Sequence, residues 1–265
     1  MRGGAGMNYG LYMAAAGALT SMHRQDVLTN NLANLNTVGF KPLMAVARQR
    51  ETARAEDGLG NLPSNDLLER LGAGPLLAPT RVSMAQGRLE TTNNPLDLAI
   101  EGKGFFVIRD QADGSTQRMR LTRDGRFALD SRGRLVMRTQ GLPVLDRSNR
   151  PIFLAPGQSP TISTDGVIRQ GGTEIARIQV VAVPDPTRLE RLGESLFAAS
   201  SEQLESGSPA RGTIHQGSVE GSAVNEISAL MKISGASGAV QANIGMIRYH
   251  DQMMDRAINV LGRVT

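Results

Sequence analysis

Hydrophobic positions divide this chain into helical ends and a β-rich middle. From Tyr9 to Asn34 there is no proline, and Ala, Leu and Met dominate, which favours helix. The run closes on Asn34-Leu35-Asn36-Thr37-Val38-Gly39-Phe40-Lys41-Pro42. Gly39 tolerates a positive φ and Pro42 biases Lys41 away from helix, so the helix is predicted to stop by about Asn36. At the far end, Asn225 is a suitable N-cap, and Glu226 favours the helix dipole from the first turn. Steps of three and four then pick out Leu230, Ile233, Ser237, Val240, Ile244, Ile247, Asp251, Met254, Ile258 and Leu261, all apolar but Ser237 and Asp251. That spacing predicts a coiled-coil seam. Gly235, Gly238 and Gly245 interrupt it, each costing ~1 kcal/mol relative to Ala. A helix so weakened is marginal alone, so the two ends are expected to fold together or against copies of the same protein.

Between the helices the pattern shortens. Residues 43–80 mix charged residues with glycine and proline punctuation, which predicts an extended arm with one short helix around Asp66 to Leu71. From Arg81 to Gly217 the apolar residues come in short β runs. Leu98-Ala99-Ile100, Phe105 to Ile108, Phe127-Ala128-Leu129, Leu135-Val136 and Ile175 to Val183 are the clearest. Turn pairs separate them: Asp113-Gly114, Asp124-Gly125, Arg132-Gly133, Asp165-Gly166 and Gly171-Gly172. The expected fold is α+β, with N- and C-terminal helices pairing as a coiled-coil core domain beside a central antiparallel β-rich domain. Its parts are an N-terminal helix at 7–42, a linker arm at 43–80, the β domain at 81–218 and a C-terminal helix at 219–265.

Composition narrows the function. The chain has 265 residues, 40% hydrophobic, with 3% aromatic and no Cys or Trp. Without cysteine there is no disulfide framework, thiolate zinc site, iron–sulfur cluster or thiol nucleophile. No run approaches the ~18 uninterrupted apolar residues of a membrane helix. The net charge of +4 raises the question of nucleic acid, but the basic residues are spread and no helix carries a basic stripe. They are densest between Arg109 and Arg150, alternating with apolar residues as on the solvated face of a sheet. Arg2 and the apolar stretch from Leu11 to Leu19 mimic a secretory signal, yet the apolar spacing continues through Met22, Leu28, Leu32 and Leu35.

A search for chemistry assigns no catalytic, cofactor-binding or metal-ligating residue. His23, His215 and His250 lie far apart, without ligand spacing. Gly102-Lys103-Gly104 lacks the rest of a dinucleotide or phosphate loop, and a tight turn before the strand at Phe105 explains it better. Ser237 has no nucleophile-elbow frame. Asp97, lone and between two leucines, is expected to be structural.

The stretch from Asp26 to Lys41, with Asn30, Asn31, Asn34 and Asn36 crowded at a helix end, resembles the N-terminal signature of bacterial flagellar rod and hook proteins. Asn competes for backbone groups and is out of place in a bland helix. Two further matches follow in family order. Thr92 to Val107 (TNNPLDLAIEGKGFFV) is similar to the central block, and Gly217 to Asn225 (GSVEGSAVN) to the block opening the C-terminal helix. Ala223, Gly238 and Val240 depart from the residues usual there. Asn94-Pro95, and Leu189 to Gly193 before Leu196-Phe197, look most like the proximal-rod members.

The resemblance implies a structural subunit of the flagellar basal-body rod, not an enzyme, assembling helically as axial drive shaft and export channel. It implies export through the flagellum's own type III apparatus without a cleaved signal, and a rod spanning the periplasm. Partners would be copies of itself and other axial proteins, with no cofactor, nucleic acid or small-molecule substrate. Self-assembly would fall to Asn30, Asn31, Leu32, Asn34, Asn36, Thr37, Gly39 and Phe40 at the N-terminal motif. At the C-terminal seam it would fall to Leu230, Ile233, Val240, Ile244, Ile247, Met254, Ile258 and Leu261. The alternatives are a distal-rod or hook-type member, or a secreted coiled-coil adhesin.

Overall fold

The computed structural model describes residues 9–52, 74–110, 118–193, 195–198, 208–209 and 212–261. They belong to two compact units, between which the chain passes after residues 32, 42, 81 and 225.

The helical unit contains α1 (Tyr9–Ala33), which ends well before the 42 expected for the N-terminal part, and the 36-residue α2 (Glu226–Leu261), which begins after the 219 expected for the C-terminal one. It also holds β1 (Leu43–Gln49) and β2 (Pro75–Val82), paired as a two-stranded sheet. The arm expected at 43–80 is therefore partly ordered as strand. The short helix expected around Asp66 to Leu71, like the Asp113-Gly114 turn, lies outside the described residues. The helices meet where α1 is smallest. A Cβ on Gly10 would come within 2.6 Å of His250 Nε2, and one on Gly17 within 2.8 Å of Asn243 Oδ1. The positions advance on α1 as they retreat on α2, so the two helices run antiparallel where they touch. Ala14 and Ala18 are buried beside these glycines, while Leu11, Tyr12, Leu19 and Met22 stay exposed.

The β unit comprises 33–42 and 82–225. Residues 33–42, expected with the N-terminal helix, fall here instead because Phe40 and Lys41 are buried in it. Its largest sheet is antiparallel. It uses β5 (Phe105–Asp110), β6 (Arg118–Thr122), β12 (Val180–Ala182), β13 (Arg191–Gly193), β14 (Leu196–Ala198) and β15 (Ser208–Pro209). Around it lie smaller antiparallel pairings: β3 (Leu89–Thr91) with β17 (Ser218–Glu220), and β4 (Leu98–Glu101) with β16 (Thr213–Gln216). Likewise β7 (Phe127–Leu129) pairs with β8 (Leu135–Met137). A three-stranded sheet joins β9 (Thr161–Ile162), β10 (Val167–Gln170) and β11 (Thr173–Arg177).

Several turns follow the sequence. Gly171-Gly172 links β10 to β11 with φ of 57° and 84°, the two positive values that a two-residue type I′ turn requires. The run from Ile175 to Val183 breaks into β11 and β12, because Ile178 bridges to Asp146 between them. The core is aliphatic with a few aromatics: Leu98, Ile100, Leu135 and Ile168 surround Phe106 and Phe127, whose rings meet edge to face at 5.2 Å.

Candidate assembly site

The N-terminal motif does its first work inside the chain. Asn31 is buried, its amide donating to Leu43 O at 2.7 Å and its oxygen accepting from Leu43 N at 2.9 Å. One side chain thus pins the start of β1 in the manner of a neighbouring strand. Asn31→Leu should leave both backbone groups without these partners and cost about 1–3 kcal/mol. Thermal unfolding checks this against Asn36→Leu at an exposed position, which should change little. Asn34 carries the turn after α1: its backbone oxygen accepts from Thr37 N, and its side-chain oxygen from Thr37 Oγ1 at 3.2 Å. Asn30 and Asn36 face outward, and Leu32 is half-buried.

Gly39 must be glycine. It sits at φ 68°, and a Cβ there would meet the Asp124 nitrogen at 2.4 Å. Phe40 is enclosed in the β unit, with the Arg191 guanidinium 3.9 Å from its ring centroid. Gly39 and Phe40 therefore act as internal anchors, where the motif alone suggested a surface for neighbours.

One residue further lies a buried polar cluster. Lys41 Nζ donates to Glu220 Oε1 at 2.6 Å and to Ala85 O at 2.7 Å. Arg123 donates to Glu220 Oε2 and Ile100 O, both at 3.0 Å, and to Gly102 O at 2.6 Å. Gly87 N completes the shell of Glu220 at 2.8 Å. The Lys41 and Glu220 side chains are 1% exposed and that of Arg123 6%. Burial lowers the pKa of Lys41, partly offset by the Glu220 carboxylate, and burial likewise lowers that of Arg123. Two cations thus share one anion away from water. Removing that anion would strand both.

The sequence search singled out none of these three residues. The available signal was a lone lysine between Phe40 and Pro42 in a chain with only three lysines. Its partner, 179 positions away, has no local signature. Arg123 corrects the solvated-face reading of 109–150. Other arginines of that run pair with aspartates nearer the surface, as Arg120 does with Asp110, Arg134 with Asp130 and Arg150 with Asp146. Asp97 is buried and accepts from Arg138 and Asn94, a structural role as expected. Among the described residues no group of three or more His, Asp or Glu is placed to hold a metal ion.

The C-terminal seam splits by face. Ile233, Val240, Ile247 and Met254 are half-buried, in line with buried Ala229 and Ala236. Leu230, Ile244 and Ile258 remain exposed, Ile258 at 67%. Leu261 ends the helix, its side chain outside the described residues. A second face went unread in the sequence. Ile227, Met231, Tyr249 and Met253 follow helical spacing on the opposite side, all exposed, Met231 at 71%. Gly235, Gly238 and Gly245 lie among them, and a Cβ on any of the three would meet nothing within 4 Å.

Comparison with known proteins supplies the context. A family profile described as flagella basal body rod protein matches residues 11–41, and one described as the flagellar hook protein FlgE/F/G D1 domain matches 99–170. The chain is 30% identical over 261 residues to the flagellar basal-body rod protein FlgF of Caulobacter vibrioides, covering 97% of this chain and 100% of that one. It is 31% identical over 268 residues to the flagellar basal-body rod protein FlgG of Borreliella burgdorferi, covering 94% and 97% respectively. The FlgG of Bacillus subtilis is 27% identical over 264 residues, covering 94% and 98%.

Proposed function

The chain belongs to the flagellar basal-body rod protein family, and from that premise we propose that the open face of α2 and the exposed side of α1 pack against neighbouring axial subunits. The protein is a structural subunit of the rod, not an enzyme. One observation carries the reading of its surface. Among the described residues, the large hydrophobic side chains left exposed lie overwhelmingly on the helical unit; only Phe153, Ile175 and Leu192 belong to the β unit. Large apolar side chains gathered on the surface of one unit mark a site for a partner to cover.

In this reading the small residues of α1 bring α2 close, and the terminal helices pair as a coiled coil. Their larger side chains turn outward, to be buried by further copies and by other rod and hook proteins. Such contacts are heterologous and non-closing, which yields a helical filament. The subunit reaches its place in the periplasm-spanning rod through the flagellar export apparatus.

The glycines of α2 offer a test. Since a Cβ has open space at Gly235, Gly238 and Gly245, the triple Gly→Ala variant should stabilise the free chain, by up to ~1 kcal/mol per position. In the rod the same methyl groups would hold neighbouring backbones apart. The expected result is a higher melting temperature for the monomer together with lost motility and absence from isolated basal bodies. A fully motile triple variant, present in basal bodies at normal level, would refute the packing of this face.

A further inference from the structure

The cluster around Glu220 ties together the segments by which the chain enters and leaves the β unit. The incoming segment, 38–42, and the outgoing segment, 217–223, touch through backbone as well as side chains. Gly39 N donates to Glu220 O at 2.6 Å, and Ala223 N donates to Phe40 O at 3.2 Å. Both bonds advance in the same sense along the two segments, so the segments run parallel. The ion pair from Lys41 to Glu220 crosses the same junction. Ser83 N donates to Pro42 O at 2.8 Å, and Gly221 N to Arg88 O at 2.8 Å, so the segment after residue 81 is bound in as well. Glu220 further lies in β17, which pairs antiparallel with β3 on its other side.

That geometry has a mechanical meaning. The incoming segment is joined to the helical unit at both ends, after residues 32 and 42, and the outgoing one at its C-terminal side, after residue 225. The connections at 32 and 225 lie at opposite ends of the parallel segments, so tension applied between those two shears the junction and loads its bonds together. Pulling the outgoing segment from its own N-terminal side would instead open the same bonds one at a time. Rupture in shear also drags the buried charges of Lys41 and Glu220 past each other, leaving each without its partner in a dry site.

We propose that the parallel 39–40/220–223 junction, cross-tied by Lys41, Glu220 and Arg123, is a mechanical clamp that carries tension across the base of the β unit and shields its sheets from load. The clamp's purpose rests on the rod reading, since a subunit of a rotating shaft bears force through its chain connections. Its measurement does not, because it is made on the free protein.

The test is single-molecule force spectroscopy on the full chain. The natural sequence has no cysteine, so paired substitutions attach handles cleanly. Handles at Ala33→Cys and Asn225→Cys load the junction in shear, and handles at Ala33→Cys and Thr213→Cys peel it. The shear geometry should unfold roughly tenfold or more slowly at the same constant load. Lys41→Met leaves Arg123 facing Glu220 as a balanced pair, so the thermal melt should hold while the shear advantage falls away. Equal unfolding rates in the two geometries would overturn the clamp, as would a Lys41→Met chain with undiminished resistance in shear. Should Lys41→Met fail to fold, the two handle geometries on the otherwise natural chain decide alone. A negative result leaves rod incorporation untouched, and absence from basal bodies would leave the force measurement standing.

Discussion

Glu220→Gln is expected to cost the β unit about 3–5 kcal/mol, because it removes the anion that two buried cations share. Glutamine keeps the shape and one acceptor, so the change isolates charge from packing. Lys41 and Arg123 would remain desolvated, held by backbone oxygens of Ala85, Ile100 and Gly102 but without a counter-charge. A domain of this size is stable by about 5–15 kcal/mol, so the loss takes a large share of the whole. Thermal unfolding and limited proteolysis of the full chain measure it. Arg150→Gln is the control: it breaks the pair with Asp146, whose arginine is 75% exposed, and should cost about 0–1 kcal/mol. If Glu220→Gln melts with the natural protein, the cluster does not close the unit.

The contrast between these two pairs explains what the sequence could disclose. Elements governed by neighbours in the chain were legible. The proline-free run gave α1, the Asn225-Glu226 start gave α2, and glycine pairs such as Gly171-Gly172 marked their turns. These depend on local conformational preference, which a short window carries. The fate of individual arginines did not follow from their alternation, because Arg123 and Arg150 look alike in composition and differ only in what folds over them. The N-terminal motif is legible in the sequence as a block, but the packing of its residues within the chain is not. Gly39, Phe40 and Asn31 face inward, and that depends on partners at Asp124, Arg191 and Leu43. The glycines of α2 make a similar case. In the sequence they weaken the helix and call for a partner, but only the structure places them on one exposed face with open space at each Cβ.

Met231→Asp should leave the free chain folded and abolish rod assembly. The side chain is 71% exposed, with Ile227 one turn before it and Gly235 one turn after, so a carboxylate there stays hydrated in the monomer. Packed beneath a neighbouring subunit it would be stripped of water without a dedicated cation, a penalty of several kcal/mol repeated in every copy. Ile247→Asp provides the contrast. Ile247 is half-buried on the covered face, so its substitution should weaken the helical unit of the isolated chain before assembly begins. The two variants therefore divide: both lose motility, but only Ile247→Asp lowers the monomer's helical stability by circular dichroism. Immunoblots of cytoplasmic, periplasmic and basal-body fractions locate the block, and Met231→Asp should accumulate outside the basal body as intact protein. Swimming cells with Met231→Asp built into their rods would place the subunit contact on another face. Equal melting of the two variants would mean that α2 buries neither side in the free chain, and the face covered by α1 would then have to form only as subunits meet.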